Sequence, residues 1–234
     1  MDRVQIMNHF DFHFYKKRVD KSNFRYYFDG FENLYECYGE SAQDLFAITV
    51  LKGKQNGTYL EIGNRDPIEK NNTFMLESVF AWKGVSLDIE EYWVNRFNSI
   101  RRNKAYTADA TKLEYDDFLK EKLPNRIDYL SLDCDPPWQS LLILQKLLKS
   151  NYRFNFITFE HDNYGKKERP EKEVSRVLMK KHGYELVVKG GLSPKGYDHE
   201  DWYVDPDFVD MNLVERLRGE VKKKDCYEHF FRFT

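Results

Sequence analysis

The sequence predicts an α/β fold: a mostly parallel seven-stranded sheet, helices on both faces, and an antiparallel last strand. Three observations predict it. Beyond Gly57, short apolar runs alternate with amphipathic stretches, and the connections between them are only a few residues long. The last connector, 189–200, carries Gly-Gly, Ser-Pro and Gly but no helical pattern, so the final two strands are expected to pair antiparallel.

Residues 1–40 are rich in Phe, Tyr and charge and follow neither a strand alternation nor a helical stripe. They are expected to be an N-terminal extension whose aromatics pack on the main domain, 41–234. From Ser41 the spacing of Leu45, Ile48, Thr49 and Leu51 predicts a helix closed by Asn56-Gly57. Strands are expected over 58–62, 84–88, 105–107, 127–132, 154–159, 184–188 and 201–204. Helices are expected over 72–80, 90–102, 115–122, 139–149 and 171–182. A last charged helix is expected over 208–224, ending in Lys222-Lys223-Lys224 and followed by the aromatic tail Phe230-Phe231-Arg232-Phe233.

Lys and Arg number 37 against 39 Asp and Glu, a net charge of −2, so there is no basic surplus to bind a phosphate backbone and nucleic acid is not the expected partner. Charges interrupt every hydrophobic run, which excludes a membrane span. The N-terminus lacks the apolar core of a secretion signal, and three distant cysteines (Cys37, Cys134, Cys226) suit a reducing compartment. A cytoplasmic location, or host cytoplasm for a viral chain, is the expectation. A homo-oligomer stays open.

The informative pattern is where the carboxylates fall. Glu61 lies in the first strand, Asp88 ends the second and Asp109 follows the third. Asp133 and Asp135 follow the fourth, and Glu160 and Asp162 follow the fifth. Singly, such acids often cap the next helix; five in register at the ligand-binding edge of an α/β sheet point to a site. Gly63 permits a tight turn, and an acid 25 residues further on can accept both hydroxyls of a ribose. The G-x-G-x-x-G run of pyrophosphate cofactors is missing from Gly63-Asn64-Arg65-Asp66-Pro67-Ile68, which disfavours an NAD-dependent oxidoreductase. A nucleoside cofactor without phosphates remains, with S-adenosylmethionine the obvious candidate.

These residues resemble the FkbM-type methyltransferases. The parts are Ser41-Ala42-Gln43-Asp44, Gly57-Thr58-Tyr59-Leu60-Glu61-Ile62-Gly63-Asn64, Asn71-Asn72-Thr73, Trp82-Lys83-Gly84-Val85 leading to Asp88, Asp109-Ala110, Ile127 to Asp133, Ile157 to Asp162, and Glu200-Asp201-Trp202. Pro136-Pro137 departs from the pattern. The resemblance implies a Rossmann-like class I methyltransferase fold, with Glu61, Gly63, Asn64, Asn72, Thr73, Asp88, Ile89, Asp109 and Ala110 around the cofactor. It implies methyl transfer to a hydroxyl of a sugar, glycan or related small molecule. A catalytically silent binding or scaffold domain on the same fold is the competing reading.

Oxygen ligands from two neighbouring strand ends suit Mg²⁺ or Mn²⁺. Asp133, Glu160 and Asp162 are the expected ligands of an ion that would orient an acceptor hydroxyl. Asp133 and His161 are the expected catalytic pair, although His161 fits ligand, base or packed core histidine. His199-Glu200-Asp201-Trp202 either reaches over the pocket or forms a structural turn. Trp138, Tyr164, Tyr197 and Trp202 are candidates to stack on a sugar. Cys134 reads as a small buried side chain, and Lys166 to Pro170 as a solvated charge run.

Overall fold

Seven strands and one short added edge build the main sheet in the computed structural model, which describes residues 16–162, 170–192 and 198–220. In chain order the elements are β1 (Lys17–Arg18), a 3-10 turn (Phe31–Asn33), β2 (Glu36–Cys37), α1 (Gln43–Val50), β3 (Thr58–Ile62) and α2 (Phe74–Phe80). There follow β4 (Lys83–Asp88), α3 (Glu91–Ile100), β5 (Lys104–Thr107), α4 (Tyr115–Leu119), β6 (Arg126–Leu132) and α5 (Pro137–Leu147). The last are β7 (Arg153–Glu160), α6 (Pro170–Lys181), β8 (Glu185–Leu192), β9 (Asp198–Val204), α7 (Met211–Leu217) and β10 (Gly219–Glu220). The sheet order is β10-β8-β9-β7-β6-β3-β4-β5. Strands β3 to β7 are mutually parallel, while β9 runs antiparallel to both β7 and β8. This is the Rossmann-like methyltransferase fold.

Side-chain alternation along the strands divides the core. Tyr59, Tyr129, Phe156 and Trp202 face the layer of α1, α2 and α7, where Phe46 packs on Trp202 at 4.7 Å and on Phe156 at 5.0 Å between ring centres. Leu60, Ile62, Leu130 and Ile157 face α4, α5 and α6. From the N-terminal segment, Phe24, Phe31, Leu34 and Cys37 are buried in the first layer. Phe24 stacks on Phe31 at 4.4 Å, and Phe28 meets Phe80 edge-on at 6.2 Å.

Several boundaries differ from the expectations, among them the end of α4 at Leu119 instead of 122 and the start of β9 at Asp198 instead of 201, and three of them have a plain physical account. Helix α5 starts at Pro137, because a proline at the first helical position gives up an N–H that would be unpaired there anyway. Strand β8 continues through Gly190 to Leu192, with irregular register against β9; Gly190, at φ +67°, donates its N–H to Asp201 Oδ1 at 2.9 Å. The final helix is short. Asp210 caps its start by accepting from the amides of Asn212 and Leu213, and the backbone is extended at Arg218, so the chain passes into β10 on the edge of β8. Lys222-Lys223-Lys224, Cys226, the aromatic tail Phe230-Phe231-Arg232-Phe233, Tyr164, Tyr197 and Lys166 to Arg169 lie outside the described residues. Among the described residues no helix is long and apolar enough to cross a membrane.

A buried guanidinium organises the end of the sheet near α3. Arg101 donates to Glu77 Oε2 (2.8 Å), the Pro67 carbonyl (2.9 Å), Asn71 Oδ1 (3.0 Å), Tyr59 Oη (3.2 Å) and Thr73 Oγ1 (3.1 Å). All five of its N–H groups are thereby used. Glu77 also accepts from the Arg102 amide at 2.7 Å and from Asn103 Nδ2 at 2.9 Å. Removing one partner of such a buried pair strands the other charge. Arg101→Met is therefore expected to lower unfolding free energy by about 3–5 kcal/mol in urea denaturation; a loss under 1 kcal/mol would show that the network carries no weight.

Candidate functional site

Because β3 to β7 are parallel, their carboxyl ends share one edge, and the strand order reverses between β3 and β6. A crevice opens at such a reversal. Gly63 stands at its base with φ +86°, and a Cβ there would lie 1.6 Å from the Asp133 carbonyl oxygen. Only a residue without a side chain lets the β3 and β6 turns approach this closely. The Gly63 amide donates to Leu87 O at 2.9 Å and the Asp133 amide to Ile62 O at 3.0 Å.

Above this crossing lies a cavity of about 680 Å³, within the range of small-molecule and cofactor sites. Gly63, Asn64, Asn72, Asp88, Ile89, Asp109 and Ala110 stand on its wall, together with Asp133, Cys134, Asp135, Glu160 and His199. Asp88 accepts from the Glu90 amide at Oδ1 (2.8 Å) and from the Arg65 amide at Oδ2 (2.9 Å). Those bonds fix the carboxylate and leave each oxygen a second lone pair for a ligand. Asp109 accepts from Thr111 Oγ1 at 2.6 Å and pairs with Lys112 at 2.9 Å, which holds its carboxyl below the usual range. Ile89 is 65% exposed at the rim. The buried oxygens Asn64 Oδ1 and Asn72 Oδ1 have no hydrogen-bond partner among the described residues.

Two residues expected around the cofactor stand off the wall. Glu61 shares the sheet face of Tyr59, so its carboxylate points toward the Arg101 network. It accepts from Thr73 Oγ1 at 3.1 Å and Ser86 Oγ at 2.7 Å. Burial pushes Glu61 up, opposed by the Arg101 guanidinium. Thr73 is spent in the same network. Both support the wall from behind.

The expected catalytic histidine also stands elsewhere. His161 is fully buried, with Nε2 3.6 Å from Asp198 Oδ1 and 3.6 Å from Asp201 Oδ1, and it is not on the cavity wall. His199 is. The amides of His161 and Asp162 both donate to the His199 carbonyl, at 2.7 and 2.9 Å, fixing its backbone, and its Nε2 lies 3.4 Å from Ser41 Oγ. Asp201, Glu200 and Trp202 are structural. Arg176 grips Asp201 through two N–H groups at 2.7 and 3.0 Å, Gln43 Nε2 donates to Glu200 at 2.8 Å, and Trp202 is buried against Phe46. Trp138 is 51% exposed and off the cavity wall.

At the far end of the cavity four carboxyls meet. Glu160 shares hydrogen bonds with Asp133 and Asp162, and Asp135 with Asp162. Burial holds Glu160 well above the usual carboxylate range, and the charges of Asp133 and Asp162 push it further. Burial and Asp162 together raise Asp135 to about 6. Burial raises Asp133 as well, although its side chain is open to water in the cavity, which tempers the effect. The Cys134 thiol is pushed up by burial and by the charges of Asp133, Asp88, Asp135 and Asp109, so it is no thiolate nucleophile.

The expected Mg²⁺ or Mn²⁺ centre at Asp133, Glu160 and Asp162 does not form: among the described residues no three His, Cys, Asp or Glu side chains are gathered so as to hold an ion. Asp162 is off the cavity wall. Sequence reasoning also missed what the chain around the start of α1 supplies. Glu40 and Gln43 line the cavity, and Glu40 pairs with Lys70 at 3.0 Å. The motif containing Gln43 was visible, but its contact with Glu200 links residues 157 positions apart.

No protein-family model and no curated protein matches this chain. Solved structures do share its fold. An O-methyltransferase from Bacillus cereus in complex with SAH is 16% identical, with a TM-score of 0.51 over 71% of this chain and 80% of that one. Aeropyrum pernix fibrillarin, with natively bound S-adenosyl-L-methionine, is 17% identical, with a TM-score of 0.50 over 73% and 78%. A protein proposed as an rRNA-methylase from Clostridium thermocellum is 12% identical, with a TM-score of 0.50 over 72% and 96%. The fold is therefore that of the class I methyltransferases.

Two outcomes follow from this geometry. Gly63→Ala forces a left-handed backbone on alanine and drives a methyl group into a carbonyl. It should cost at least about 2 kcal/mol in chemical denaturation, and a loss below about 0.5 kcal/mol would contradict the close crossing. Because Glu160 keeps its proton above its unfolded value, the native state binds more protons between the two values, and stability falls as pH rises through that window. Glu160→Gln should raise the thermal midpoint at pH 7.5 by about 2–4 °C and give no gain near pH 4. A gain that does not change with pH would refute the assignment.

Proposed function

We propose that this chain is an S-adenosylmethionine-dependent methyltransferase acting on a hydroxyl of a sugar, glycan or related small molecule. One observation carries the cofactor: an acid ending the second strand of the parallel set, Asp88, held by two backbone amides beside a glycine crossing at the strand-order reversal. Two structures sharing the fold hold S-adenosylmethionine or its demethylated product. The acceptor class rests on the resemblance to FkbM-type enzymes. A divalent ion is left out of the mechanism, because the carboxyls do not form its site.

The bound cofactor supplies an electrophilic methyl group. The chain's own residues then have distinct tasks. Asp88 takes the ribose hydroxyls on its free lone pairs. Ile89 and Ala110 offer apolar contact to the adenine ring, and Asp109 stands beside them. Asn64 Oδ1 and Asn72 Oδ1, buried acceptors lacking donors, suit the ammonium of the methionine end. Asp133, Glu160 and His199 border the space left for the acceptor, and His199 takes over the base role expected of His161.

Calorimetry tests the reading. Micromolar binding of S-adenosylmethionine or its demethylated product is expected, with Asp88→Ala weakening it at least about tenfold, the worth of one charge-assisted hydrogen bond. No binding by the intact protein, or an unchanged affinity in Asp88→Ala, sinks the cofactor assignment and favours a silent binding domain.

A further inference from the structure

Asn71, Asn72 and Thr73 lie side by side ahead of α2, and the fold divides their tasks. Asn71 Oδ1 accepts from Arg101 and from the Thr73 amide, both at 3.0 Å, and Thr73 Oγ1 accepts from Arg101 at 3.1 Å. Both side chains are thus committed to the network behind the wall. Of the three, Asn72 is the one on the cavity wall. It is 9% exposed, and its Oδ1 accepts no hydrogen bond among the described residues. A buried acceptor without a donor costs on the order of 1–3 kcal/mol, which a ligand N–H would recover.

A side-chain amide has two ends of the same shape, one accepting and one donating. Which end faces the cavity decides whether the ammonium or the carboxylate of a ligand is received there. Ser131 makes the choice for Asn72. Its Oγ takes the hydrogen bond of Asn72 Nδ2 at 3.0 Å, which turns Oδ1 away from β6 and toward the wall. Ser131 itself is buried and off the wall, so it does not touch a ligand. It shares the sheet face of Tyr129, two residues earlier in β6, and Tyr129 is tied to Thr158 Oγ1 of β7 at 2.9 Å. The hydroxyl therefore sits on a braced strand in the middle of the sheet. The other buried acceptor on the wall, Asn64 Oδ1, lacks a donor as well, and the two together suit a group with several N–H donors.

We propose, building on the methyltransferase reading, that Ser131 is a positioning residue for the cofactor: by holding Asn72 Nδ2 it aims Asn72 Oδ1 at the ammonium of the methionine end. The pocket then selects cofactors that carry that ammonium over analogues that lack it.

Calorimetry on the full chain at neutral pH compares S-adenosylhomocysteine with its deamino analogue, which keeps the nucleoside, the sulfur and the carboxylate and lacks only the amino group. The intact protein should bind S-adenosylhomocysteine at least about tenfold more tightly, the worth of one charge-assisted hydrogen bond. In Ser131→Ala that preference should fall below about threefold, while the deamino analogue keeps its affinity to within about twofold. Asn72→Ala should lose the preference to the same extent, and adding Ser131→Ala to it should change nothing further, because Ser131 acts through Asn72. A thermal melt establishes that each variant is folded. Ser131→Cys, close in volume and a weaker acceptor, takes the place of Ser131→Ala if that variant does not fold, and should show the same fall in preference. A preference kept in the Ser131 variant, or a loss that strikes both ligands equally, overturns the proposal and leaves the cofactor assignment standing. If the intact protein binds neither ligand, the methyltransferase reading fails and this proposal with it.

Discussion

A charge that cannot reach water must be answered on every side, and Arg101 is that charge here. Its guanidinium is surrounded by the side chains of Tyr59, Asn71, Thr73 and Glu77 and the carbonyl of Pro67. These partners come from β3, α2 and the loop between them, so a single group fixes the wall-forming segment from Asn64 to Thr73 against the sheet. Asn71 passes the constraint on by donating to Asp66 O at 3.2 Å while accepting from Arg101. Glu61 is tolerated in the interior because this cation is nearby and Ser86 and Thr73 donate to it. The cavity wall is thus held by polar and ionic contacts placed behind it.

The start of α1 belongs to the same logic. Ser41, Gln43 and Asp44 are buried at the start of α1, where Asp44 accepts from the amides of Tyr38 and Leu45 and is raised by burial to about 6. Gln43 bonds to Glu200, and Ser41 lies beside His199. This end of the cavity is therefore closed by two stretches of chain far apart in sequence, each pinning a polar group that the other presents.

Much of the fold was legible because periodicity is a local property. Strand β3 was read with both its ends, Thr58 and Ile62, and the antiparallel pairing of the last strands followed from a connector too irregular for a helix, whereas the short β1 and β2 in the N-terminal segment were not seen. The acids at strand ends were legible for the same reason: once strands are parallel, their ends coincide. Residues whose role depends on distant partners were not. Arg101 reads as an ordinary basic residue ending a helix, and nothing nearby announces its burial. That His199 and not His161 stands on the cavity wall depends on the pairing of β9 with β7, which sets Glu200 opposite Glu160 and which no local pattern announces. Glu61 was placed at the ligand because a strand-end acid beside a glycine suggests it; the alternation that sends Glu61 to the Tyr59 face was in the sequence and was outweighed.

The excess of acid among the described residues of the cavity wall bears on the timing of the proposed catalytic cycle. S-adenosylmethionine enters with a sulfonium charge, and the product leaves without it. A negatively lined cleft with protein walls concentrates cations and speeds their arrival, yet it exerts no such pull on the neutral thioether. For the proposed reaction, the chemical step itself would switch off the attraction that brought the cofactor in. Turnover would then need no separate moving part to expel what has been used.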